Sequence, residues 1–71
     1  MEYNEYARIK IKEMRRASNI KQTEFAELVG LSPKKYAEIE SGEEPLTPII
    51  MLRVLYILKT NSTEFNKEFI K

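Results

Sequence analysis

Lys34 and Lys35 stand side by side, and Glu38 follows one helical turn later. Two ammonium groups and a carboxylate at this spacing are donors and an acceptor, suited to ion pairing and directional hydrogen bonding. They belong to a wider basic run. From Arg8 to Lys35 eight cations (Arg8, Lys10, Lys12, Arg15, Arg16, Lys21, Lys34, Lys35) face three acids (Glu13, Glu24, Glu27), giving that segment +5. The seven residues before it carry −2 and those from Tyr36 onward carry −2, so the net charge of +1 conceals a positive half joined to a negative half. Such a split suggests one side facing a polyanion; the plain alternative is that these charges only keep a small protein soluble. Bond-making chemistry has little support. The chain has no histidine and no cysteine, which removes the commonest general base, the thiolate nucleophile and any disulfide framework. Glutamate is the only acid, and no pair sits at a catalytic spacing with a nucleophile or metal partner. No cofactor and no metal site are expected, and the chain does not read as an enzyme.

The elements that hold these residues read as helices throughout, because apolar residues recur at three- and four-residue steps without β alternation. The first helix is expected over about Tyr3 to Ala17, burying Tyr6, Ala7, Ile11 and Met14, and ending at Ser18-Asn19, where Asn19 tolerates the left-handed conformation. A second covers roughly Gln22 to Val29. The third starts at the Ser32 cap with Pro33 in the first position and runs to about Ser41, where Gly42 stops it. Thr47 and Pro48 repeat that start for a fourth helix reaching about Leu58. Asn61 with Glu64 forms a capping-box pattern for a fifth, to about Ile70. Seventy-one residues with 42% apolar and 32% charged content make one domain near the lower size limit for a self-sufficient core. No run approaches the roughly 20 apolar residues of a membrane span. The start, Met1-Glu-Tyr-Asn-Glu, lacks the pattern of a secretory leader. A cytoplasmic location is the expectation.

Between the second and third helices the spacing is specific. Ala26 lies four residues before Gly30, with Phe25, Val29, Leu31, Tyr36 and Ile39 around them. Two short helices crossing steeply through a tight turn need a small residue for close approach, a glycine for the backbone angle and large apolar residues to fill the corner. Many small proteins present a helix to the DNA major groove from such a corner.

Residues 11 to 65 resemble the Cro/C1-type (XRE) helix-turn-helix family of transcriptional regulators. The likeness rests on Ile11 and Met14-Arg15, on Ile20-Lys-Gln22, on Glu24-Phe-Ala-Glu-Leu-Val-Gly-Leu-Ser32, and on Ile39-Glu-Ser-Gly42. The Thr47 to Leu58 helix and Asn61-Ser-Thr-Glu-Phe65 match the closing helices. It implies an all-α, five-helix, lambda-repressor-like DNA-binding domain spanning residues 1–71, with a helix-turn-helix core at 21–42 and a dimerisation region in the closing helices at 47–70. Double-stranded DNA is the implied partner.

The resemblance also implies roles. Gln22 falls where the family's glutamine bridges a DNA phosphate and the recognition helix. Lys21 precedes it where the family usually has a capping residue; lysine cannot cap, but it can reach a phosphate. Thr23 and Ser41 complete the implied phosphate contacts. Arg15 and Glu40 occupy positions of a partly buried ion pair. On the outward face of the third helix, Pro33, Lys34, Lys35 and Glu38 would meet bases, the lysines donating to guanine and Glu38 accepting from cytosine N4; non-specific phosphate attraction is the other reading of the lysines. Three features depart from the family pattern. Glu38 replaces a basic or amide residue, Glu43 and Glu44 occupy a loop that is often basic, and Tyr36 is bulkier than the usual inward Ile or Val.

The fourth helix is apolar on nearly all sides from Ile49 to Leu58, interrupted only by Arg53. The resemblance implies polar residues at the positions of Ile49 and Tyr56, so these two are surplus to the core and, with Phe65, Phe69 and Ile70, are expected to form a homodimer patch. Alternatively, Phe65 and Phe69 fold back on the first helix and complete a monomer. The principal functional expectation is therefore a small, sequence-specific DNA-binding regulator of phage, plasmid or controller type. The second is a helix-turn-helix scaffold for protein contact, antitoxin-like or regulator-binding, with a second protein on the fourth and fifth helices.

Overall fold

Most helix ends of the computed structural model, which describes residues 1–70, are set by local hydrogen bonding. The order is α1 (Tyr3–Ala17), α2 (Gln22–Val29), α3 (Pro33–Ser41), α4 (Pro48–Ile57) and α5 (Ser62–Asn66), with no strand among the described residues. Lys71, the last residue of the expected domain, lies outside them. Side-chain oxygens of Ser32, Thr47 and Asn61 accept from the backbone N–H three residues on, at 3.1, 3.3 and 2.9 Å. Each satisfies a donor that the first turn would leave orphaned. Helix ends are closed by left-handed residues. Asn19 (φ 59°) follows α1, Gly30 (φ 85°) follows α2 and Gly42 (φ 90°) follows α3. The N–H of Leu31 then reaches the Ala26 carbonyl at 2.9 Å, and that of Glu43 reaches the Glu38 carbonyl at 2.8 Å. After α4 the same position is held by Lys59 (φ 57°), a residue without glycine's freedom.

Helices α2 and α3 pack most closely on each other, α1 lies across α3, and α4 closes over α2. The core comprises Ala7 and Ile11 from α1, Phe25, Ala26 and Val29 from α2, Tyr36 and Ile39 from α3, Ile50, Val54 and Leu55 from α4, and Phe65 from α5. Phe25 and Tyr36 meet with ring centroids 5.3 Å apart at the α2–α3 corner. Burial of each such side chain contributes on the order of 1.5–3 kcal/mol.

Two expectations are corrected here. α5 ends at Asn66 rather than near Ile70, and the chain continues as turns in which Phe69 and Ile70 both donate to the Asn66 carbonyl. The physical reason is an aromatic clasp with α1. Tyr3 donates its hydroxyl to Asn66 Oδ1 at 2.8 Å, and Phe69 sits edge-on to Tyr3 at 5.1 Å and against Tyr6 at 5.2 Å. Second, Phe65 is not an available dimer residue. It is 1% exposed, packs edge-on to Tyr6, and its carbonyl accepts from the Tyr6 hydroxyl at 2.6 Å. Phe69 packs on Tyr3 and Tyr6 of α1 but remains partly exposed. Folding back onto α1 is the arrangement found.

Candidate nucleic-acid interface

The first turn of α2 and the length of α3 lie on one steep corner. Lys21 is the N-cap of α2 in extended conformation, and its exposed side chain makes no capping bond. The leading N–H groups of α2 therefore lack a side-chain cap, at the positive end of the helix dipole. Thr23 is exposed on that turn and borders a shallow depression shared with Glu24, Glu27, Leu31 and Pro33. The structure thus brings Thr23 near Pro33, the first residue of α3.

Gln22 is tied down from behind. Its Nε2 donates to Glu40 Oε1 at 3.1 Å. Glu40, near the end of α3, also receives Arg15 of α1 through two donors, Nε to Oε2 at 2.7 Å and Nη2 to Oε1 at 3.2 Å, and it accepts a short hydrogen bond from the Tyr36 hydroxyl on Oε2. Arg15 spends Nη1 on the Ile20 carbonyl at 2.7 Å. The four donors fill the roughly four lone-pair sites of the carboxylate. Burial favours the neutral carboxyl of Glu40, but the bonds from Arg15, Tyr36 and Gln22 prevail and hold its pKa below the ordinary value. Tyr36 moves the other way, its pKa raised by burial and then by its bond to Glu40. The bond to Glu40 raises Arg15 further. This node joins α1, α2 and α3, and it gives the bulky Tyr36 a polar task absent from the sequence reading. The i,i+4 spacing of Tyr36 and Glu40 was the available signal.

On the open side of α3 the expected residues differ in readiness. Pro33 and Lys34 are exposed, and Lys34 has no ion pair among the described residues. Lys35 is exposed but lies 3.5 Å from Glu44. Glu38 is half-buried. Ser41 turns its hydroxyl back to the Glu38 carbonyl at 3.1 Å. The residue is exposed, and meeting a phosphate would require this hydroxyl to turn outward.

Part of the basic run is neutralised internally. Lys10 pairs with Glu68 at 2.6 Å, Arg15 with Glu40 and Lys35 with Glu44. Arg8 lies over Gly42, where its Nη1 reaches the Glu40 carbonyl at 3.5 Å and its Nε would be 2.9 Å from any Cβ. A groove of about 470 Å³ beside it is bordered by Glu2, Glu5, Glu43 and Glu44, so the C-terminal end of α3 sits in acidic surroundings. The positive half suggested by the sequence keeps five cations without an ion pair among the described residues, Arg8, Lys12, Arg16, Lys21 and Lys34, of which Arg8 is held at the Glu40 carbonyl.

Away from this face, α4 presents Ile49, Leu52 and Tyr56 at i, i+3 and i+7, with Tyr56 85% exposed. Leu28 of α2 adjoins them across a shallow apolar hollow. Leu28 and Leu52 were not singled out in the sequence, although Leu52 lies one helical step from Ile49. Arg53, in the same hollow, donates from Nη1 to the Val29 carbonyl at 3.2 Å and so closes the end of α2. No helix is long and apolar enough to cross a membrane, and no group of His, Cys, Asp or Glu could hold a metal ion among the described residues.

Comparison with known families gives a match to a family model described as helix-turn-helix, over residues 11–65, more than three-quarters of the chain. The matched span runs from Ile11 in α1 through the α2–α3 corner to Phe65 in α5. Neither the curated proteins nor the solved structures compared with the chain give a match.

Proposed function

The chain belongs to the Cro/C1-type helix-turn-helix family of non-enzymatic DNA-binding domains, and from that premise we propose that it is a small sequence-specific transcriptional regulator. In this reading α3 enters the major groove, with Pro33, Lys34, Lys35 and Glu38 toward base edges and the Lys21–Thr23 turn of α2 on the phosphate backbone. The observation that carries it is the pairing of an uncapped, lysine-headed α2 N-terminus with an exposed Lys34 on the adjacent helix. Internal pairing of Lys10, Arg15 and Lys35 and an acidic groove at the end of α3 point to modest affinity that falls steeply with salt.

The regulator acts as a homodimer through the Ile49, Leu52 and Tyr56 stripe, with Leu28 at its edge. An apolar stripe on a small domain is a surface that a two-fold partner covers at little cost. Selection of duplexes from a random library at low salt tests both parts. An enriched inverted repeat with half-sites about one helical turn apart is the expected result. Retention without enrichment would reduce the basic face to phosphate attraction.

One observation favours a second reading, a scaffold for protein contact in which the α4 stripe takes a different protein. The Lys35–Glu44 pair and the acidic groove both work against DNA on the α3 side. If no duplex is retained before or after Glu38, Glu43 and Glu44 are reversed to lysine, this reading replaces the first.

A further inference from the structure

Among the described residues, Tyr36 is a completely buried aromatic whose hydroxyl is spent on a charged group of its own helix. Its ring is fixed against Phe25 in the α2–α3 corner, so the hydroxyl has one direction open to it. That direction ends on Oε2 of Glu40, which already holds the Arg15 Nε. The other oxygen, Oε1, holds Arg15 Nη2 and the Gln22 amide. With Oε2 filled, Oε1 is the single place left for Gln22.

We propose that the Tyr36 hydroxyl is a positioning residue for DNA: acting through Glu40, it fixes the orientation in which the Gln22 amide meets a phosphate. The inference rests on the DNA-binding reading above and adds a residue to it. A phosphate oxygen only accepts hydrogen bonds, so Gln22 serves it through an N–H. One N–H of Nε2 points inward to Glu40. The flipped amide would set its oxygen against a carboxylate oxygen with no proton between them, which the low-dielectric surroundings penalise. The second N–H is therefore left at the half-buried edge of α2, its direction set by the amide plane. Removing the Tyr36 hydroxyl opens a lone pair on Oε2. The Gln22 amide then has two comparable resting places, and its outward N–H no longer has one direction.

The test is a double-mutant cycle on DNA affinity with Tyr36→Phe and Gln22→Ala, using the duplex enriched in the library selection. Tyr36→Phe keeps the ring and its packing. We expect it to weaken binding roughly fivefold in the presence of Gln22, the scale of one ordinary hydrogen bond, and to change little in the Gln22→Ala background. Equal losses in both backgrounds overturn the proposal, because a merely structural role for the hydroxyl would be blind to residue 22. A second readout needs no DNA. In the free protein, one Gln22 side-chain amide proton should exchange slowly and shift its resonance in Tyr36→Phe. Two rapidly exchanging protons in the wild type would overturn the proposal, even if Tyr36→Phe fails to fold. A wild type that retains no duplex overturns the DNA reading and this inference with it, an outcome distinct from additive losses on a duplex that does bind.

Discussion

The Lys35 ammonium lies 3.5 Å from the Glu44 carboxylate, across the turn that closes α3, so a lysine placed for DNA is already partnered within the domain. Both groups are partly exposed, and such a pair contributes only about 0–1 kcal/mol. DNA must still displace it. Glu44→Gln should therefore raise DNA affinity by about fivefold at most at low salt, with the advantage shrinking as salt rises. Anisotropy titrations of wild type and variant at two salt concentrations measure this. Equal affinities at low salt would mean that Lys35 takes no part in binding.

The buried node should dominate stability. Glu40→Ala leaves Arg15, which is 7% exposed, without its carboxylate and should cost on the order of 3–5 kcal/mol. A domain of this size has a total stability of that same order. Urea unfolding followed by circular dichroism should show a protein largely unfolded without denaturant.

The same node sets the pH limits. Glu40 titrates below its ordinary value in the folded protein, so its contribution is present above pH 4.5 and is lost as pH falls through the lowered value. Tyr36 titrates above its ordinary value. Its contribution is complete below pH 10.0 and is lost as pH rises beyond that, where the unfolded chain ionises and the folded one does not. Thermal melts across pH should decline on both sides, and Tyr36→Phe should flatten the alkaline decline and also soften the acid one, because the Tyr36 hydroxyl is one of the donors that hold the Glu40 value down.

Lys59 adopts φ 57° at the end of α4, the conformation that glycine supplies after α2 and α3. Lys59→Gly relieves the left-handed strain of roughly 1–2 kcal/mol, part of which is offset by the greater freedom of glycine in the unfolded chain. The variant should melt a few degrees higher, consistent with about 4–8 °C per kcal/mol for a domain this small. A lower melting temperature would show that the Lys59 side chain contributes more than its backbone costs.

Leu52→Lys and Tyr56→Lys place charge on the exposed stripe of α4 without touching the core. Both should leave the melting temperature of the monomer nearly unchanged and abolish self-association in sedimentation equilibrium, with a loss of affinity for an inverted-repeat duplex. A wild type that sediments as a monomer at all concentrations would remove the dimer from the proposed function.

Local features of this chain are written in residue type and spacing. Caps at Ser32, Thr47 and Asn61, left-handed residues at Asn19, Gly30 and Gly42, and the Ala26–Gly30 corner each depend on hydrogen bonds or contacts spanning only a few residues. Residue type and spacing state them fully, and the family pattern that they compose follows. Tertiary structure alone decided the partners. Whether Lys35 is free or held by Glu44, whether Phe65 faces a second copy or Tyr6, and how the Tyr36 hydroxyl is spent are settled by helix packing. Long side chains such as lysine and arginine reach several neighbours from one backbone position, and buried polar groups must take whichever partners the fold supplies. The charge count of the basic run was therefore legible in sequence, while the number of cations left to meet DNA was not.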